Sequence, residues 1–219
     1  MTGSQVVRTG VRKCAAGHAQ DMAHRNEHRR PADRGTPHAA ALAAFTERIR
    51  LVTPDQWDAP TPCTDWSVRD LVNHLTGEQL WVPELLMGAT ISEVGGRFDG
   101  DVLGDDPVAA WTAAADAARE AFAVPGATEL TVHLSFGDVP GQYYLDQLTT
   151  DAVVHSWDLA EGIGRRTRLP EELVDFALAE FSGYGDLSGS GLFDPPLPVA
   201  GDAGPQTRLL ALAGRRDRP

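Results

Sequence analysis

Residues 142–160, QYYLDQLTTDAVVHSWDLA, constrain this chain most, because they set an acid and an imidazole on the apolar face of a helix. Pro140, a residue suited to the first helical position, precedes the stretch, and Gly162, a residue suited to a C-terminal cap, follows it. The spacing predicts one helix of about five or six turns. At 3.6 residues per turn Tyr144, Leu148, Asp151, Ala152, His155 and Leu159 share a face. Burying Asp151 and His155 without partners would be costly. Side chains at i and i+4 have Cβ atoms roughly 5–6 Å apart, so the carboxylate and the imidazole can converge on one ion.

Residues 67–82, SVRDLVNHLTGEQLWV, repeat the anomaly. Ser67 and Asp70 form a capping-box pattern that starts the helix. Leu71, His74, Glu78, Trp81, Val82 and Leu85 then share the inward face. A histidine on such a face is ordinarily a hydrogen-bonded core residue. A second helix with the same defect turns the reading toward a shared ion: His74, Asp151 and His155 supply three nitrogen and oxygen ligands from two helices. With a fourth position open to water, that set has the character of a catalytic zinc site. Glu78, one turn from His74, reads as a partner that orients an imidazole, with a fourth ligand or a proton shuttle as the alternatives.

These residues carry a family resemblance. The segments 60–75 (PTPCTDWSVRDLVNHL), 151–160 (DAVVHSWDLA) and 208–215 (RLLALAGR) look like actinobacterial metal-binding proteins related to the N-terminal domain of mycothiol-dependent maleylpyruvate isomerase, within the DinB-like superfamily. The resemblance spans roughly residues 37 to 216. It implies an all-α, DinB-like four-helix bundle with additional short helices and a C-terminal wrap. It also implies a divalent metal, Zn2+ first and Ni2+ as the alternative, on His74, Asp151 and His155. Mycothiol is the implied thiol, and a small electrophile its implied reaction partner. Two departures stand out: relatives often carry Glu or His where this chain has the shorter Asp151, and this chain has no room for the isomerase's further C-terminal domain. The expected function is a metal- and thiol-dependent transferase or isomerase; the alternatives are a non-catalytic metal- or ligand-binding module, or a bundle whose Asp151 and His155 simply pair without an ion.

Composition excludes other classes. At 219 residues and 42% hydrophobic the chain can bury one substantial core. A net charge of −12 argues against nucleic acid and anionic lipid as partners. No apolar run approaches ~18 residues and the N-terminus lacks a hydrophobic h-region, so a cytoplasmic protein is expected. The two cysteines, Cys14 and Cys63, suggest no disulfide framework. Cys63, just ahead of a helix start, reads as a buried structural residue before it reads as a reactive thiol.

Residues 1–36, rich in Arg, His and Gly, read as a disordered tail, with Met22 an alternative start, and the bundle as residues 37–219. His18, His24, His28 and His38 read as polar tail residues. Further helices are expected at 38–52, with Leu42, Phe45 and Ile49 inward, at 107–122, from Pro170 onward and near 206–213. A Gly- and Asp-rich loop covers 88–104, a short extended piece with a surface His133 covers 129–136, and residues 183–198 read as a wrap. Trp81, Tyr144 and Trp111 read as core aromatics, with pocket lining as the alternative. Val153 and Trp157, nearly opposite Asp151, read as packing beneath the wrap or as a dimer face.

Overall fold

A computed structural model describes residues 36–183 and 194–217. The tail expectation therefore falls, but for Thr36, outside the described residues, as does much of the expected wrap. The described residues form α1 (Pro37–Ile49), α2 (Val68–Leu86), the one-turn α3 (Ile91–Val94), α4 (Pro107–Ala123), β1 (Thr131–Leu134), β2 (Gly137–Pro140), α5 (Gly141–Gly162), α6 (Glu171–Gly183) and α7 (Pro205–Leu212), with single 3-10 turns at Pro54–Gln56 and Ala127–Glu129. The architecture is the expected all-α, DinB-like bundle. α1, α2, α4 and α5 pack on one another as the four long helices, and α6 lies against α5 and α1 with α7 packed on it.

Local chemistry explains the boundaries. Ser67 Oγ accepts from the Asp70 backbone N–H while Asp70 Oδ2 accepts from the Ser67 N–H, so both ends of the capping box are made at the start of α2. Asp106 caps α4 through the Ala109 N–H, with Pro107 in the first turn. Pro140 sits one place outside α5, as its N-cap residue. Gly141 takes the first helical position because a Cβ there would lie 2.3 Å from the Ala127 carbonyl oxygen. The C-terminal expectation shifts in the same way: Gly162 remains helical, close against Thr61 and Val68, and Gly164 with φ +71° makes the left-handed exit.

Two apolar clusters fill the interior. The larger joins Leu42, Phe45, Ile49, Leu71, Leu75, Val153, Trp157, Leu159, Leu173, Leu209 and Leu210. Each fully buried Leu or Ile adds about 1.5–3 kcal/mol of hydrophobic stabilisation. Val153 and Trp157 are buried within the chain itself, so they form no dimer face. Trp111 is plain core, fully buried, packed on Phe45 and donating to Thr46 Oγ1. The smaller cluster sits where the β1–β2 hairpin covers α2 and α5, and contains Trp81, Val82, Leu85, Val132, Val139, Tyr144 and Leu148. His133 pairs across that hairpin with Asp138 at 2.7 Å and stays on the surface. His38, grouped above with the tail, is instead 2% exposed on α1, with its ring edge-on to Phe122. Burial lowers its pKa to about 4, opposed only in part by the nearby Gln79 side chain. No helix of the described residues is long and apolar enough to cross a membrane.

Candidate metal centre

α2 and α5 bring His74, Asp151 and His155 together at the middle of the bundle. His74 Nε2 lies 3.2 Å from Asp151 Oδ2, and His155 Nε2 lies 3.2 Å from Asp151 Oδ1, so each carboxylate oxygen faces one imidazole. One donor atom from each residue lies within 4.8 Å of the others. The two rings stand nearly perpendicular, 5.5 Å apart at their centroids. The two 3.2 Å approaches use different carboxylate oxygens, and donor atoms within 4.8 Å of one another are close enough to converge on an ion. Both histidines are buried, and the Asp151 side chain keeps 23% of its surface exposed. Solvent thus reaches the trio through the carboxylate.

The charges are strongly coupled. Burial opposes ionisation of Asp151, but the imidazoles of His155 and His74 outweigh it and hold the carboxyl far below the usual range. Burial likewise opposes the imidazolium of His155. Asp151 chiefly, with Cys63 and Asp158, overcomes it and raises that pKa well above 6.5.

His155 Nδ1 points the other way, into a network that sequence reasoning did not assign. It donates to Asp158 Oδ2 at 2.9 Å, and Asp158 receives Arg215 Nε at 3.1 Å. Cys63 Sγ donates to Asp158 Oδ2 at 3.1 Å and accepts from Arg215 Nη2 at 2.9 Å. Arg215 Nη1 also donates to the Ala213 carbonyl oxygen and to Asp194 Oδ2. Cys63, Asp158 and Arg215 are all buried. Burial raises the Cys63 thiol pKa, only partly offset by His155 and Arg215, so the thiol is a structural donor and not an activated nucleophile. Asp158 fixes one proton of His155 on Nδ1, so the proton on Nε2, facing Asp151, is the one an entering ion would displace. A sequence signal for this existed: Asp158 follows His155 by three residues inside an otherwise apolar stretch.

Cys63, His155 and Asp158 also have donor atoms close enough to hold an ion. Arg215 already supplies that cluster with a cation, so His74, Asp151 and His155 are the better candidates. Sequence reading also missed Trp66, whose ring lies 4.8 Å from His74 and 5.8 Å from His155 and flanks both imidazoles. The turn that presents it carries Asp65 at φ +69°, a left-handed conformation uncommon for a non-glycine residue, and closes with the Trp66 N–H donating to the Cys63 carbonyl at 3.1 Å. One strained turn therefore sends Cys63 inward and Trp66 across the imidazoles. Glu78 is buried one turn beyond His74 but is not part of the three-residue donor group. Burial, the largest influence, pushes its carboxyl up to about 7.

A family model described as the mycothiol maleylpyruvate isomerase N-terminal domain matches residues 38–160. Two proteins of Mycobacterium tuberculosis, both named only as uncharacterized, are similar over most of the chain: MT0763 of strain CDC 1551 / Oshkosh and Rv0738 of strain ATCC 25618 / H37Rv. Each is 35% identical over 189 residues, which cover 83% of this chain and 97% of the relative. No solved structure matches.

Proposed function

This chain belongs to the mycothiol maleylpyruvate isomerase N-terminal domain family, and from that premise we propose that it is a metal- and thiol-dependent transferase or isomerase whose ion is held by His74, Asp151 and His155. The observation that carries the reading is Asp151, one oxygen turned to each imidazole at 3.2 Å with no Lys or Arg paired to it among the described residues. Two neutral imidazoles and a carboxylate favour Zn2+ among available divalent ions, with Ni2+ the alternative. A divalent ion bound there supplies a Lewis-acid position at which a thiol or water loses its proton near neutral pH. Asp158 keeps His155 in the ligating tautomer, and Trp66 shields the imidazoles from bulk water. Glu78 stands outside the donor group, which favours an exogenous fourth ligand over a closed structural site. Mycothiol is the thiol proposed from the family, and an electrophilic small molecule its partner.

Elemental analysis of untagged protein tests the reading: about one zinc or nickel per chain is expected, lost in His155→Ala with helix content retained. Retention of metal by that variant overturns the site. Turnover of an electrophile that requires both metal and mycothiol supports catalysis; bound metal without thiol-dependent turnover leaves the non-catalytic module. A metal-free protein whose melting temperature is indifferent to zinc and chelator leaves the ion-free pair.

A further inference from the structure

The inward faces of α2 and α5 do not become apolar beyond the trio. Glu78 lies four residues from His74, Trp81 seven, and Tyr144 seven from Asp151, which puts them about 6 to 10 Å along their helices from the ligands. Glu78, Trp81 and Tyr144 are 8%, 3% and 3% exposed. Among the described residues, Glu78 Oε1, Trp81 Nε1 and the Tyr144 hydroxyl oxygen each have no hydrogen-bond partner. Glu78 interacts electrostatically with His74, Asp151 and His155 and also with Tyr144, so its carboxyl is near both the trio and the phenol. Trp81 and Tyr144 share the apolar cluster of Val82, Leu85, Leu148 and the hairpin. Phe or Leu would fill those places without stranding a polar atom, and each buried, unmatched donor or acceptor is a real cost to folding.

The three groups differ in what they offer. An indole N–H only donates, and the Tyr144 phenol stays protonated because burial, then Glu78, raises its pKa well above 10. A carboxylate accepts. We propose that Glu78, Trp81 and Tyr144 form a recognition subsite for an amide group carried by the thiol that docks at His74, Asp151 and His155. Trp81 and Tyr144 donate to the amide carbonyl, and Glu78 accepts its N–H. An ester satisfies two of the three groups and a hydrocarbon none. The inference rests on the proposed function, since it needs a thiol anchored at the ion.

The full chain loaded with Co2+ tests it, with thiol binding read from the cobalt–thiolate absorption. N-acetyl-ω-aminoalkanethiols with two to five methylenes are compared with methyl ω-mercaptoesters and n-alkanethiols of matched length. The amides should bind about tenfold tighter than the alkanethiols, with an optimum length and the esters between. Tyr144→Phe and Glu78→Met should reduce that advantage to about threefold or less while leaving Co2+ stoichiometry and alkanethiol affinity unchanged. Tyr144→Phe should melt no lower than the parent protein. Equal affinity for amide and alkyl thiols, or variants that weaken every thiol alike, overturns the subsite while leaving the ion reading intact. Loss of Co2+ from Glu78→Met makes Glu78 a ligand and also overturns it. Failure of the parent protein to hold Co2+, or to show a thiolate band with any thiol, overturns both readings.

Discussion

His155 faces two clusters built from similar residues, and they differ in where the positive charge comes from. On its Nδ1 side, Asp158 is fully buried and receives Arg215, with Cys63 closing the network. On its Nε2 side, Asp151 keeps 23% of its side chain exposed and faces two imidazoles, with no Lys or Arg paired to it among the described residues. A buried carboxylate needs a matching cation. The closed cluster takes one from the far end of the chain, whereas the open cluster is arranged to take one from solution. Chemistry of the donor set alone does not separate them, since both bring three potential ligands together. The guanidinium does.

The largest expected effect breaks the two apart. Arg215→Met strands Asp158 in the interior and should destabilise the metal-free protein by about 3–5 kcal/mol in urea titration. Asp151→Asn removes the carboxylate paired with His155; it should destabilise the metal-free protein less than Arg215→Met, because Asp151 is partly exposed, and should abolish stoichiometric zinc. If Asp151→Asn unfolds the protein while Arg215→Met merely loses metal, the assignment of the clusters is reversed.

Protons sharpen the same contrast. In metal-free protein the raised pKa of His155 means an imidazolium at neutral pH, and an entering ion must displace that proton. Zinc affinity should therefore fall about tenfold per unit as pH drops below 7, read by competition with a chelator of known pH dependence. Stability has the opposite sense without metal: the contribution of a raised histidine is complete below its ordinary value of 6.5 and is lost as pH rises through the folded value. Chelated protein should thus weaken toward alkaline pH, and zinc should remove the slope contributed by His155. A flat zinc affinity from pH 6 to 8 would show that His155 binds no ion through Nε2.

A smaller effect tests how the clusters communicate. Asp158→Asn keeps an acceptor but loses the charge that holds the Nδ1 proton, and should weaken zinc about 10–100-fold with the ligands untouched. Nitrogen chemical shifts of His155 in metal-free protein at neutral pH should report a doubly protonated ring in the parent and a larger neutral fraction in the variant. Unchanged shifts together with unchanged affinity would reduce the closed cluster to packing.

Helical periodicity alone placed His74, Asp151 and His155 on facing surfaces, because a charged group at i and i+4 among Leu, Ala and Tyr is a local signal. Helix ends were legible to within a few residues where capping chemistry marks them, as at Ser67 and Asp106. The closed cluster was not, since it joins Cys63, Asp158 and Arg215 across separations of 95 and 57 residues, and no local period encodes such a contact. Trp66 was missed for a related reason: it precedes the helix, and only the left-handed turn at Asp65 directs it toward the imidazoles. His38 was misplaced because a histidine beside a polar tail reads as tail, while Phe122 and Gln79, which bury it, lie on other helices.

The smallest effect concerns the residue both clusters could claim. Cys63 lies 3.6 Å from His155 Nδ1 and belongs to the second donor group, so it is the residue through which the closed cluster could bind an ion. Its sulfur donates to Asp158 and its pKa is raised chiefly by burial, which together favour a neutral thiol over the opposing pull of His155 and Arg215. Cys63→Ala should cost about 1–2 kcal/mol from two lost hydrogen bonds and a small cavity. Zinc stoichiometry should stay unchanged, and the parent Co2+ protein without added thiol should lack the intense near-ultraviolet sulfur-to-cobalt band. A band that vanishes in Cys63→Ala would move the ion to the guanidinium side of His155 and erase the distinction between the clusters.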